Sequence, residues 1–415
     1  MHTLSRYFPA YAILSVAAVL IVPVAALEPL WLTIIAGVAA LAAIPEHGRR
    51  GAWPHLYPAL TWLLAALVIW AAATSIWSID SDRSVSQAFE LFLFAAGMTI
   101  LLSTALNLDA PGRKTLETFL VVGFAIGLLF VLFELTTSGS VHGRLMGADP
   151  LLTRAMTLFE LNRASSVISI AVWVAIIPVW RRFGWIGGVV LVLVSGFAIS
   201  GLQPGSPFLA ITAGAAVFAV AWFVPRVATI ALLIAIAVGL LMIPFIPDLQ
   251  PLLTDMIRGL GLSEFSLHHR MAIWQFASEH SLARPFAGWG LDSSRFVGVG
   301  QVATVDDAPN VGFRNVDVLP LHPHNALLQA WLELGVVGAV ILAALFASIV
   351  LAIRRHVRGH LERAAAYATF TAAFINAELS FGIWQGWWIS CLALAAILLT
   401  ALVMPARASD SPGPA

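Results

Sequence analysis

The residues of this chain best equipped for chemistry are an imidazole and a set of guanidinium groups. The stretch LHPHNALLQAWLELG, residues 321–335, sets His322 and His324 around Pro323, adds Asn325, and then runs into a long apolar segment. A histidine titrates near neutrality and can take a proton from a hydroxyl as a general base. Arginine presents a planar fork that suits phosphate or diphosphate oxygens. Arg270 lies in SLHHRMAIWQF beside His269, while Arg144, Arg154 and Arg163 lie in or just after the segment 137–160, with Arg163 at the start of an apolar run. An arginine at membrane depth is costly and faces a partner or a polar cavity. Such a set can hold an anionic lipid headgroup and deprotonate a hydroxyl. The plainer reading of the same residues is that His324 and Asn325 cap a helix, and that Arg163 pairs with Glu160.

The elements that must position these groups are membrane helices. Of 415 residues, 60% are hydrophobic and 11% charged, against about a quarter charged in soluble domains. Runs such as PAYAILSVAAVLIVPVAAL and SPFLAITAGAAVFAVAWFVP reach the roughly 20 residues that a helix needs to cross a bilayer. The hydropathy pattern predicts about twelve spans, near 8–26, 28–45, 57–77, 85–106, 115–136, 161–180, 184–201, 206–224, 227–246, 326–353, 361–382 and 385–404. With the N-terminus in the cytoplasm, Arg49, Arg50, Arg113, Lys114, Arg181, Arg182, Arg226, Arg354, Arg355, Arg358 and Arg363 all fall in cytoplasmic connections, the positive-inside pattern. The chain then divides into spans one to nine (1–246), a long outer loop (247–325), spans ten to twelve (326–404) and a disordered cytoplasmic tail (405–415). Within the loop, Met271, Trp274, Phe276 and Ala277 predict an amphipathic helix on or near the membrane surface. Pro323 and Asn325 mark the start of the tenth span.

Other groupings have bland explanations. Asp80-Ser81-Asp82 has the look of a metal-binding DxD, but Ser81 or Asp82 just before an apolar run reads as a helix cap. His268, His269, His322 and His324 are imaginable as a zinc cluster, yet the single cysteine, Cys391, lies in the last apolar run and offers no thiol partner. Glu378, Gln385, Trp384, Trp387 and Trp388 fall near the outer ends of the last two spans, where the tryptophans form an interfacial belt or stack on sugars. Neither metal nor cofactor is expected. A net charge of zero spread asymmetrically across a membrane gives no reason to expect nucleic acid as a partner.

His324-Asn325, nine residues, and then Gly335-x-x-Gly338 resembles the signature of the O-antigen ligase family. The resemblance extends through HHRMAIWQF, RPFAGWGLDSSRF, ELSFGIWQGWW (378–388) and ELNRASSVISIAVW (160–173), and with the shared topology it covers essentially the whole chain. It implies an all-α integral membrane glycosyltransferase like the GT-C class, in the bacterial inner membrane with its active site facing the periplasm. The implied partners are an undecaprenyl-diphosphate-linked glycan as donor, lipid A-core as acceptor, and the surrounding lipids, with no metal. Carried over by position, the base falls on His324 and the catalytic arginines on Arg270 and Arg163. Arg144, Arg154, Asn325, His322, His269, Trp274, Glu378 and Gln385 are then expected to contact substrate. At the outer start of the eighth span, where many members carry arginine, this chain reads QPGSPFLAI, with Ser206 and Pro207. O-antigen polymerase and protein O-oligosaccharyltransferase share the donor type. A transporter of lipid-linked sugars is the alternative outside enzymology, but the sequence shows no internal repeats of the kind transporters carry.

Overall fold

The structure, a computed structural model, describes residues 9–50, 57–146, 150–202, 205–259, 265–306 and 313–404. The helices, in chain order, are α1 (Ala10–Leu27), α2 (Trp31–Arg50), α3 (Pro58–Thr74), α4 (Ser81–Leu106), α5 (Ala110–Thr136), α6 (Ser140–Met146), α7 (Pro150–Gly201), α8 (Gly205–Phe223) and α9 (Pro225–Leu241). They continue with α10 (Ile246–Gly259), α11 (Phe265–Ala283), α12 (Ser294–Val297), α13 (Ala326–His356), α14 (His360–Leu379) and α15 (Gly386–Val403). One antiparallel hairpin, β1 (Val302–Asp306) with β2 (Phe313–Asp317), pairs Val302 with Asp317. Seven described helices are long and apolar enough to cross a membrane, or eight if α9 and the helix bent from it by 47° count as one; α2 and α3 contribute shorter apolar helices. Each of the twelve expected ranges overlaps a described helix, but α14, under the eleventh range, is not among those long and apolar enough to cross a membrane. The sixth and seventh share α7, which is broken where expected, at Gly184.

The surface says why this bundle belongs in lipid. Trp62, Ile69, Phe89, Leu129, Leu193, Phe197 and Phe223 are all exposed, and a soluble monomer does not display apolar side chains over so much of its area. Inside, Trp173, Trp388, Tyr367 and Phe124 are fully buried. The two ends of the bundle differ. At one end Arg181 bridges Glu117 on α5 and Glu362 on α14. At the other, α3, α4, the 284–294 segment, the start of α13 and the α14–α15 connection come together.

The chain at that second end is tied by α13. This helix breaks at Gly335, whose φ of 70° and ψ of −178° interrupt it after residues 326–334. The carbonyls freed by the break are met from outside the helix: Trp289 N–H donates to Leu332 O (3.0 Å) and Gly290 N–H to Glu333 O (2.8 Å), while Trp70 Nε1 donates to Leu334 O (2.8 Å). Val336 N–H returns to Pro285 O (2.7 Å). The RPFAGWG turn is thus the missing ladder of the break, and Trp77 Nε1 holds that turn through Ala287 O (3.1 Å). Only glycine fits at 335, since its φ is positive and a Cβ would lie 2.1 Å from Phe286 O.

One expectation needs correction here. The helix cap at DSD is Asp80, which accepts from Arg83 N–H at 3.0 Å, rather than Ser81 or Asp82. Helix α11, expected to be amphipathic, buries Met271, Ile273 and Ala277 and packs on α13, α10 and β1. Its apolar face answers the protein, which hydrophobic periodicity alone cannot tell from lipid.

The break generates a prediction. Gly335→Ala should abolish the monodisperse folded protein in detergent, read by size-exclusion and thermal unfolding. Gly196→Ala, whose added carbon meets nothing within 4 Å, should change stability by no more than about 0.5 kcal/mol.

Candidate active site

The stretch that begins the short N-terminal half of α13 places the two imidazoles. Asn325 is its cap, with its side-chain oxygen accepting from Leu328 N–H at 2.8 Å. Glu378, on α14, accepts from Leu327 N–H at the same helix start. A carboxylate there faces the positive end of the helix dipole. Its Oε1 is buried and has no partner among the described residues.

His324 sits just before the cap in the left-handed region, at φ 55°, a conformation uncommon for non-glycine residues and held only where surroundings over-determine it. Those surroundings are specific. Its Nδ1 lies 2.5 Å from Ser380 O. A carbonyl can only accept, so Nδ1 carries the proton and Nε2 keeps its lone pair. Its backbone nitrogen lies 3.3 Å from His322 Nδ1, and the rings meet edge-on at 4.3 Å between centroids. Pro323 O is fixed by Trp274 Nε1 of α11 (2.8 Å). Helix α11 also carries His269, whose Nε2 contacts Asp317 O at 3.1 Å, and Arg270.

His322 is the more deeply set ring. Gly382 N–H points at its Nε2 (3.2 Å) and Gln385 Nε2 approaches the same atom (3.3 Å). The chain comes so close at 382 that a Cβ there would lie 2.8 Å from the ring. Burial first, and then the charges of His324 and Arg295, push the His322 pKa down to about 3. For His324 burial again dominates and the Ser380 bond opposes it; with the charges of Arg270 and His269 the pKa falls to about 4. Both rings are therefore neutral at physiological pH.

The structure thus brings together His324, His322, His269, Arg270, Trp274, Asn325 and Gln385, with Glu378 behind them. Trp274 and Asn325, expected to touch substrate, spend Nε1 and Oδ1 on the protein itself, leaving an indole face and an amide NH₂. Gln385 Oε1 is likewise taken, by Trp387 Nε1 at 3.1 Å. Arg163 and Arg270 are both engaged with neighbours. Ser169 on α7 accepts from Asn376 of α14 (3.0 Å), and Arg163 lies six residues from Ser169, about 9 Å along the helix, on the side toward the Ser380 end. Arg144 is exposed on α6 and makes no ion pair among the described residues. Arg154 lies on α7, with its side chain outside the described residues.

Sequence reasoning missed Ser380 and Gly382, which act through backbone atoms that residue type does not advertise. It did flag Ser206, and the structure gives that position a place: Ser206 Oγ lies 2.6 Å from the hydroxyl of Ser380, the residue whose carbonyl holds His324. A separate cavity of about 330 Å³ opens between α5 and α7, lined by Glu134, Ser138, Leu161 and Ser200 among others. It includes none of the histidine cluster.

The chain is similar in sequence to known proteins. Residues 201–343 match the family model described as O-antigen ligase. The chain is similar to provisionally named polysaccharide ligases of Rickettsia: 25% identity to that of Rickettsia conorii over 81% of this chain and 78% of the relative, and 26% to that of Rickettsia felis over 81% and 79%. The protein of Rickettsia prowazekii is 28% identical over 70% of this chain and 68% of its own length.

If the oxygen of Asn325 caps the helix, Asn325→Asp should keep stability, while Asn325→Ala should lose about 1 kcal/mol, measured by thermal unfolding. Equal losses in both would assign the side chain a different role.

Proposed function

We propose that this chain, which belongs to the O-antigen ligase family, transfers a glycan from undecaprenyl diphosphate to a sugar hydroxyl of lipid A-core at the periplasmic face of the inner membrane. The observation that carries the reading is the state of His324: neutral, its proton fixed on Nδ1 by Ser380 O, its Nε2 bare, and the charge of Arg270 within reach. A base and an anion-holding cation side by side are what an alcohol attacking a diphosphate-activated sugar requires.

In the proposed reaction Nε2 takes the proton of the acceptor hydroxyl as its oxygen attacks the anomeric carbon. The C–O bond to diphosphate breaks on the opposite face, giving inversion. Arg270, with Arg163, stabilises the charge growing on the departing diphosphate, the role that carries much of the rate in such sites. With a leaving group this good, arginine suffices and no metal is invoked. A pKa near 4 makes His324 a weak base in the empty site. The donor's negative charge offsets Arg270 and raises that pKa, so the base strengthens when the donor binds.

The deciding assay is transfer by purified protein with defined lipid-linked donor and lipid A-core. Product that lengthens only on the donor lipid would instead indicate a polymerase, and transfer to serine or threonine a protein O-oligosaccharyltransferase. His324→Ala should lower turnover about 10²- to 10⁴-fold with donor binding retained. Arg270→Ala should weaken donor engagement, and Arg270→Lys should restore it only in part, since a point charge lacks the fork. A fully active His324→Ala protein would remove the base assigned here.

The pH dependence follows from the lowered pKa. The working form is deprotonated, so kcat/KM should stay flat on acidifying from roughly pH 8 to 5 and fall below about pH 4. The acid limb of kcat should lie at higher pH, because it reports the donor-bound enzyme. An inflection of kcat/KM at the ordinary histidine value of about 6.5 would contradict the buried neutral ring.

A further inference from the structure

Glu333 is an acid inside the apolar run ALLQAWLELG and is wholly buried. No lysine or arginine pairs with it among the described residues. Its two oxygens instead accept from five donors. Oε2 takes Asp292 N–H (2.6 Å) and Trp384 Nε1 (2.5 Å). Oε1 takes Gln329 Nε2 (3.0 Å), Ser294 N–H (3.4 Å) and the Ser294 hydroxyl (2.5 Å). Burying a carboxylate without a cation is costly, and only this dense set of donors makes it tolerable.

The donors come from the segment that feeds out of the RPFAGWG turn, from α13 itself, and from residues 380–385 between α14 and α15. The last of these is the shelf on which both imidazoles rest. Ser380 O receives His324 Nδ1, and Gly382 N–H meets His322. Glu333 grips that shelf twice. One grip is direct, through Trp384. The other passes through Gln329, whose Oε1 accepts from Ile383 N–H at 2.9 Å. A carboxylate only accepts, so it forces the amide NH₂ of Gln329 toward itself and the amide oxygen toward Ile383.

We propose that Glu333 is a positioning residue for His324: by fixing the 380–385 shelf from both grips, it holds Ser380 O where it keeps the imidazole proton on Nδ1 and Nε2 bare. This deepens the transfer reading above and rests on it for the kinetic part alone. Glu333→Gln preserves shape but points an NH₂ at one or more donors. The shelf then loses a grip, Gln329 is free to turn over, and Ser380 O drifts from the ring.

The test is the ring's protonation pattern together with kinetics. In histidine-labelled protein, ¹⁵N resonances of His324, identified by their loss in His324→Ala, should show the Nδ1–H form alone. Glu333→Gln should give a mixture of the two neutral forms, with kcat down about 10²-fold and donor KM within about threefold, the split expected when only reacting geometry is lost. Trp384→Phe, which removes one donor and no charge, should shift both readouts the same way by less. A folded Glu333→Gln protein with the wild-type ring pattern and kcat would overturn the proposal. Should Glu333→Gln fail to fold, an unchanged ring in Trp384→Phe would overturn it equally. A shift of the ring in a protein that transfers no glycan would sink the transfer reading and leave the positioning intact.

Discussion

The rest of the structure depends on how one interrupted helix satisfies its own backbone. In hydrocarbon an unpaired peptide group costs several kcal/mol, so a break in a span is tolerated only where protein supplies the missing partners. Here the partners for Leu332, Glu333 and Leu334 are Trp289, Gly290 and Trp70. That exchange does two things at once. It divides α13 into a span and a short buried helix, and it pins the 284–294 segment against the bundle. The short helix then carries His324 and Asn325 at its start, at a fixed height, beneath α11.

Electrostatics decide what that position can do. Two imidazoles 4.3 Å apart would repel if both were charged. Burial and nearby cations keep them neutral instead, and the backbone carbonyl of Ser380 chooses which nitrogen of His324 keeps the proton. The same depression has a consequence for stability. The unfolded chain binds protons at about pH 6.5 and the folded one only near 4 and 3, so the contribution of these rings is present above the unfolded value and is lost as pH falls through the folded ones.

Ser206 shows how a departure in sequence is absorbed. Where the resemblance in sequence leads one to expect arginine, this chain places a hydroxyl 2.6 Å from the Ser380 hydroxyl, on the residue whose carbonyl meets His324.

The sequence by itself determined the membrane class and twelve apolar ranges, each of which overlaps a described helix, and it singled out His322, His324, Asn325 and Arg270, which the structure places close together. These are legible because hydropathy and charge act residue by residue, and because a histidine or arginine in a greasy chain needs a reason. Tertiary structure alone decided what the buried face of α11 packs against, that Asp80 rather than its neighbours caps α4, and that Trp274 and Asn325 spend polar atoms on the scaffold. It alone disclosed the Ser380–Gln385 shelf and the role of Glu333. Those depend on carbonyls and amides that every residue possesses, and only three-dimensional proximity gives one of them a ring to hold.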